Sequence, residues 1–330
     1  MIIVTGGAGL IGSAVVQHLN RCGREDILIV DHLGTTDKWR NLSPLRFVDY
    51  LEKDAFEHIL DVGSLAGRLP VGSTLDAVIH LGACSATTEP DATYLIRNNY
   101  EYSRKLALIT LAANARFIYA SSAATYGNGE YGFVDENSQL PQLRPMNMYG
   151  YSKQLFDVWA LRQGLLDKFV GIKYFNVYGP NEQHKGEMRS LVLKAYEQIS
   201  ATGALRLFKS HRPEYRDGEQ LRDFIYVKDA AAMTLHFLQN RSANGIFNVG
   251  GGTTVSWNRL ARSVFSAMAR PVNIEYIDMP ESIRSTYQYL TCAETSKIRA
   301  AGYADPVIPV EEAIGDYIRN YLVPGKRLGD

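Results

Sequence analysis

Tyr149 and Lys153, four apart in the run Tyr149-Gly150-Tyr151-Ser152-Lys153, carry the most specific chemical suggestion in this chain. On a helix, positions i and i+4 share one face, so phenol and ammonium at this spacing converge on one pocket. A cation beside a phenol favours the phenolate and draws its pKa down from about 10. Such a group takes a proton from a hydroxyl while the carbon beneath it gives up hydride to an acceptor. A lone YxxxK spacing also arises as an ordinary surface pair. Here it follows Ala120-Ser121-Ser122-Ala123-Ala124-Thr125-Tyr126-Gly127, placed after a predicted fifth strand. Hydroxyls at the carboxyl end of such a strand lie where doubly wound sheets hold ligands.

The acceptor is suggested by Thr5-Gly6-Gly7-Ala8-Gly9-Leu10-Ile11-Gly12, which follows a first strand and opens a helix. Gly6, Gly9 and Gly12 lack side chains where a tight turn, a pyrophosphate and a closely packed helix all need room. No Gly-Lys-Ser/Thr follows, which excludes a Walker A loop. Asp31 ends the second strand and is placed to bind an adenosine ribose, a preference for NAD. Lys38, Arg40 and Lys53 lie just downstream and are placed either to neutralise a 2′-phosphate or to stand as a solvated surface. The residues alone leave NAD and NADP both open.

The elements that must position these groups follow from the hydrophobic pattern. Strands are expected at 1–5, 26–30, 45–48, 76–80, 117–120 and 170–174, with helices at 13–21, 94–114 and 149–167. Short Ile- and Val-rich runs alternating with helices imply buried parallel strands joined by βαβ crossovers. The fold class expected is α/β: a Rossmann-like doubly wound parallel sheet with a smaller mixed α/β substrate lobe. Residues 1–175 form the dinucleotide-binding domain with the Tyr/Lys helix. Residues 176–330 form mainly the substrate lobe, with crossovers returning to the first domain. In that half, helices are expected at 189–202, 230–239 and 255–269, and strands at 205–208, 246–249 and 274–277. Residues 210–220 read as a polar surface loop.

Composition narrows the partners. The 330 residues carry 35 Lys plus Arg against 35 Asp plus Glu, which argues against general attraction to nucleic acid. Three scattered cysteines, with no CxxC and no HExxH, indicate neither a zinc site nor a disulfide framework, and suit a reducing compartment. The opening residues read as a strand rather than a signal peptide, and the apolar runs are too short to cross a bilayer. A cytoplasmic location, no metal and no membrane partner are expected.

The glycine loop, SSAATYG, YGYSK, Tyr174-Phe175-Asn176-Val177-Tyr178-Gly179-Pro180 and Arg222-Asp223-Phe224-Ile225-Tyr226-Val227 together resemble the extended short-chain dehydrogenase/reductase family. The resemblance spans nearly the whole chain in the right order. It implies that Ser122, Tyr149 and Lys153 form a catalytic triad and that Asn176 sits against a sugar nucleotide. Ala123 and Ala124 stand where the family's 4,6-dehydratases carry Asp-Glu, which argues against elimination chemistry. GACS, TTE, Asn98-Asn99-Tyr100, SSAATYG, MYGYSK and HKG are together similar to the family's bacterial epimerases that invert C6 of an ADP-linked heptose for lipopolysaccharide.

That similarity implies NADP, with NAD left open, held by Lys38 and Lys53 and by contacts at Leu10, Ile11, His32, Leu81, Gly82, Ala83, Cys84, Ser85, Asn98 and Val177. It implies a second acid/base at Lys185, with a pKa lowered by burial or neighbouring charge; pairing of Lys185 with the substrate pyrophosphate is the competing role. Substrate contacts are implied at Glu187, Lys194, Phe208, Arg222 and Tyr287, and a homo-oligomer, on the family's pattern a pentamer. The chain departs from the pattern at Leu81, where the family has glutamate, at Glu187, where it has a small residue, and in a longer loop at 210–220. Two other readings remain: another nucleotide-sugar epimerase, such as a UDP-hexose 4-epimerase, and a non-catalytic dinucleotide sensor.

Overall fold

Ile2–Thr5 and Ala77–His80 are buried at every position, which is what strands covered by helices on both faces require. The computed structural model describes residues 1–61, 74–284 and 287–330. The elements are, in order, β1 (Ile2–Thr5), α1 (Leu10–Arg21), β2 (Ile27–Asp31), β3 (Asp49–Glu52), α2 (Lys53–Asp61), β4 (Ala77–His80), α3 (Ala92–Leu95), α4 (Tyr102–Ala112), β5 (Arg116–Ser122), α5 (Met148–Arg162) and β6 (Val170–Tyr174). There follow β7 (Asn176–Tyr178), α6 (Leu191–Thr202), β8 (Leu205–Phe208), β9 (Leu221–Tyr226), α7 (Val227–Gln239), β10 (Gly245–Val249), β11 (Thr254–Ser256), α8 (Trp257–Ala267), β12 (Ile274–Ile277), α9 (Glu281–Arg284), α10 (Ser296–Ala300) and α11 (Val310–Tyr317).

The large sheet is parallel throughout, in the order β10-β6-β5-β4-β1-β2-β3. The chain leaves β1 towards β2 and returns to β4 on its other side, so a crevice opens at the carboxyl ends of β1 and β4. This is the expected Rossmann-like α/β fold. A smaller sheet, β11-β9-β7, and the parallel pair β12-β8 flank the same end. β10, although late in sequence, pairs with β6 in the large sheet.

Several boundaries differ from expectation for identifiable reasons. The expected strand at 45–48 is a turn that buries Leu45, and the true strand is the next four residues. That strand is an edge with Asp and Glu at its ends, so it has no continuous apolar run to announce it. The helix expected at 149–167 stops at Arg162, because Gly164 (φ +66°) leaves the helical region. The helix expected at 94–114 is broken internally: between α3 and α4, residues Ile96–Glu101 form a π turn. Residues 210–220 lack regular structure, as expected, although Gly218 and Gln220 are buried.

Beneath β5 lies a charged knot. Lys173 and Asp157, both fully buried, meet at 2.8 Å. The same carboxylate accepts the Tyr119 hydroxyl at 3.0 Å and the Ser121 hydroxyl at 2.6 Å. Lys173 also donates to Thr125 Oγ1 at 2.5 Å, and Thr125 donates to the Ser122 carbonyl at 2.8 Å. β5, β6 and α5 are thereby tied together directly under Ser122. Replacing Lys173 by Met removes one charge of a buried pair and leaves the other unpaired, which costs about 3–5 kcal/mol. We expect a Lys173→Met chain to show that loss in urea unfolding; a change below about 1 kcal/mol would mean that the pair is not buried as described.

Candidate active site

The Tyr149/Lys153 helix is placed by two local features. Asn147 caps α5 by accepting the Gly150 N–H at 2.8 Å. Gly150 then lets α5 press on the turn after β5, for a Cβ there would stand 2.7 Å from the Ala124 carbonyl oxygen. This close approach brings Tyr149 to Ser122, whose hydroxyl hydrogen-bonds the phenol. Ser122 Oγ also accepts the Ala124 N–H at 3.1 Å. Asn99, in the π turn, steadies the other side: its Nδ2 donates to Ser152 Oγ and to the Cys84 carbonyl, and its Oδ1 accepts the Cys84 N–H.

The titration behaviour departs from the simple phenol–ammonium picture. Burial pushes the Tyr149 phenol up, and the Ser122 hydrogen bond only partly offsets this. The Lys153 ammonium is spent on the Ala120 carbonyl, to which it donates at 2.8 Å. Burial brings Lys153 down to about 8, against the raising charges of Asp157 and Cys84. Desolvation dominates, so the expected lowering of the phenol is reversed in this state.

The glycine turn is a cradle that side chains would fill. Gly6 (φ +69°) lies where a Cβ would stand 2.6 Å from Gly82 N, and a Cβ on Gly12 would meet Gly6 O at 2.0 Å. The turn leads into α1 with Gly9 at its N-cap, leaving first-turn N–H groups to face an anion. Asp31 is already engaged by the protein: it accepts the Ala8 N–H at 2.8 Å, the His32 N–H at 2.7 Å and the Lys38 ammonium at 2.5 Å. Lys53 donates to Asn98 Oδ1. A dinucleotide fits this donor set.

Two cavities meet at the Tyr149 phenol. One, of about 470 Å³, is lined by Gly6, Gly9, Leu10, Ile11, Gly12, Asp31, Lys38, Leu81, Gly82, Ala83 and Ser85 at one end and by Ser122, Tyr149, Lys153, Asn176, Val177 and Lys185 at the other. The second, of about 320 Å³, shares Thr87, Ser122, Tyr149, Tyr174, Phe175 and Asn176 with it and adds Arg222 and Tyr287. A third, of about 350 Å³, continues from the first past Asp31 and Lys38 to His32, Lys53, Cys84 and Asn98. Lys38, Lys53, Lys153, Lys185, Arg189 and Arg222 face these spaces against only Asp31 and Asp54. A chain of zero net charge has gathered its cations where two phosphorylated ligands would meet.

Lys185 stands in the turn Gln183–Met188, and burial lowers its pKa against the raising charge of Glu182. Glu182, itself fully buried, staples that turn by accepting the N–H of Gly179 (3.2 Å) and both the N–H (2.6 Å) and hydroxyl (2.7 Å) of Ser190. Arg222 lies between the rings of Trp257 and Tyr287, 5.6 and 5.2 Å from their centres, and Trp257 Nε1 donates to the Tyr287 hydroxyl at 2.8 Å. Asn176 Nδ2 donates to the Asp223 carbonyl at 2.7 Å.

Three residues expected at the substrate are not on the walls of these cavities. The Glu187 side chain is 94% exposed, and Lys194 turns back to donate to the Glu187 carbonyl at 2.6 Å. Phe208 ends β8, and its carbonyl accepts from Gln220 at 3.4 Å. Conversely, the cavity walls include Thr87 and His184, which fall within the TTE and HKG motifs, and Asn147, Met188, Trp257 and Gln288, which no local pattern marks, save Asn147 as a helix cap two residues before the tyrosine. Among the described residues no three His, Cys, Asp or Glu side chains converge to hold a metal, and no helix is long and apolar enough to cross a membrane.

Residues 2–250 match the family described as NAD dependent epimerase/dehydratase. The chain is 53% identical over 322 residues to the ADP-L-glycero-D-manno-heptose-6-epimerase of Nitratidesulfovibrio vulgaris, with 98% of each chain covered. It is 45% identical to the protein of the same name from Fusobacterium nucleatum, again with 98% of each covered. Its fold matches the crystal structure of the Helicobacter pylori ADP-L-glycero-D-manno-heptose-6-epimerase with a TM-score of 0.80 at 27% identity, covering 97% of this chain and 95% of the other.

Because Asp157 raises the Lys153 pKa, its neutralisation must lower it. We expect the Lys153 amine, followed by NMR of isotopically labelled lysine, to titrate near 8 in the free enzyme and lower still in Asp157→Asn. A value at the ordinary 10.5 would mean that the amine is hydrated rather than buried.

Proposed function

The chain belongs to the NAD dependent epimerase/dehydratase family, and on that premise we propose that it interconverts ADP-D-glycero-D-manno-heptose and ADP-L-glycero-D-manno-heptose by inverting C6. The observation that carries this reading is the junction of two cation-rich cavities at the Tyr149–Ser122 pair, with Lys185 on the wall of the first. The near full-length relatives at 45–53% identity, all named as that epimerase, support the substrate. In a bacterial cell the product serves lipopolysaccharide core assembly in the cytoplasm.

A dinucleotide held by the glycine turn, Lys38 and Lys53 would supply the acceptor for the C6 hydride and the donor for its return to the opposite face. Tyr149, which must first be ionised against its burial-raised pKa, removes the hydroxyl proton in the first half, with Ser122 holding the oxygen and Lys153 bracing the site electrostatically. The oxidised C6 is planar, so inversion requires the C5–C6 region to turn and present its carbonyl oxygen to another wall. Lys185 serves that orientation as the second acid/base. Its burial-lowered pKa fits such a role, since an amine must lose its proton to act as a base. Arg222, held between two rings, grips the substrate pyrophosphate, with Asn176 and Tyr287 beside the sugar nucleotide.

The finer cofactor assignment is NADP. Asp31, which would otherwise receive the ribose hydroxyls, has its carboxylate taken up by two backbone N–H groups and Lys38. Lys38 and Lys53 both line the cavity beyond it, where a 2′-phosphate would lie. We propose a homo-oligomer as well, the pentamer that the sequence resemblance implies.

Purified protein should turn over ADP-heptose and leave UDP-galactose untouched; turnover of the UDP sugar alone would transfer the assignment to a UDP-hexose 4-epimerase. Tyr149→Phe should lose about 10²–10⁴ in kcat, the range for removing a general acid/base, and Lys185→Met a comparable factor. A lysine variant at the parental rate would leave that residue to phosphate binding. Lys38→Ala and Lys53→Ala should each weaken NADP binding about tenfold, the loss of one charged contact, with NAD affinity unchanged. Equal losses for both dinucleotides would overturn the 2′-phosphate role.

A further inference from the structure

Lys185 lies on a turn, and turns do not hold themselves against a cavity. Asn41, fully buried at the end of the short 3₁₀ turn Asp37–Asn41 that also carries Lys38, is where three separate segments come together. Its Nδ2 is 2.9 Å from the Ala8 carbonyl in the glycine loop, 3.0 Å from the Asn181 carbonyl and 3.3 Å from His184 Nδ1. Burial and the charges of Lys38, Lys185 and Arg327 bring His184 down to about 4, so its ring is neutral and one nitrogen remains an acceptor.

The opposite end of the same amide is held by the segment that follows α11. Arg327 Nη1 donates to Asn41 Oδ1 at 3.1 Å and to Gln183 Oε1. The Leu328 N–H donates to Asn181 Oδ1 at 3.1 Å, and the Leu328 side chain, 2% exposed, is packed in the main core. Asn181 in turn donates to Ser13 Oγ in α1 at 2.9 Å, from a positive φ of 80° that few residues other than glycine adopt readily. Among the described residues, Arg327 is the guanidinium that bridges the 3₁₀ turn of the dinucleotide pocket and the turn bearing Lys185.

We infer that Arg327 is a positioning residue for the reaction: through Asn41 and Gln183 it fixes the turn Gln183–Met188, and so Lys185, relative to the glycine loop. The inference rests on the acid–base reading of Lys185 given above. It makes the segment after α11, which lines none of the three cavities at the site, part of what sets the second proton transfer.

The test compares dinucleotide-saturated wild-type, Arg327→Ala and Arg327→Lys enzymes, each also carrying Lys185→Met. Misplacing a catalytic group by even an ångström costs up to about a hundredfold. Arg327→Ala should therefore lower kcat by about tenfold or more while KM for ADP-heptose moves less than about twofold. Arg327→Lys should recover part of that loss. Added to Lys185→Met, the Arg327→Ala change should cost nothing further, because the group it positions is already gone. Hydrogen exchange should quicken at the amides of residues 181–188 in Arg327→Ala. Unchanged exchange there, an unchanged kcat, or an equal proportional loss with and without Lys185 would overturn the inference. Failure of the underlying reading shows elsewhere, as a Lys185→Met single variant that keeps the wild-type rate.

Discussion

The Asp157 carboxylate is the constraint on which the site depends. It sits without water beneath the end of β5 and takes hydrogen bonds from Tyr119, Ser121 and Lys173 at once. One turn along the same helix stands Lys153, whose ammonium it helps to keep charged against burial. A carboxylate in that position costs several kcal/mol of desolvation unless every lone pair is met, so the strand, helix and neighbouring strand are fixed together or not at all. The serine and tyrosine above are brought within hydrogen-bonding reach by this arrangement.

Electrostatics also decides how the site divides its labour. Tyr149 is pushed up by burial and Lys153 is pulled down, so in the free protein the two are driven apart in proton affinity, the phenol holding its proton and the amine releasing it more readily. Lys185 is pulled down as well, from a separate turn with its own carboxylate, Glu182. The pocket thus holds two amines that give up protons more readily than in water and a phenol that keeps its proton more firmly, inside walls that otherwise carry an excess of positive charge. That combination suits acid–base work beside phosphorylated ligands.

What the sequence made legible was whatever depends on near neighbours. The glycine turn, the Tyr149/Lys153 spacing and the buried parallel strands are local patterns with a geometric cause, and the fold and the resemblance followed from them. β3 escaped because an edge strand half in water has no apolar run. The direction of the Tyr149 shift was misjudged because spacing places an ammonium nearby but cannot say that it is turned towards the Ala120 carbonyl. Glu187, Lys194 and Phe208 were expected at the ligand but depend on the path of the turn at 183–188 and of β8. Asn41 carried no signal at all, since it matters only through partners such as Asn181, 140 positions away.

The π turn at Ile96–Glu101 has a consequence for how this chain tolerates change in length. Such a turn holds one residue more than the helix around it, and each residue of an α-helix rotates the chain by about 100°. Deleting a single residue there would yield a smoother helix, and simple propensity would score it an improvement. It would also swing Asn98 and Asn99 away from Lys53, Cys84 and Ser152, severing α4 from the loop and helix it now braces. The defect in the helix is thus a phase adjustment that keeps both asparagines aimed at their partners.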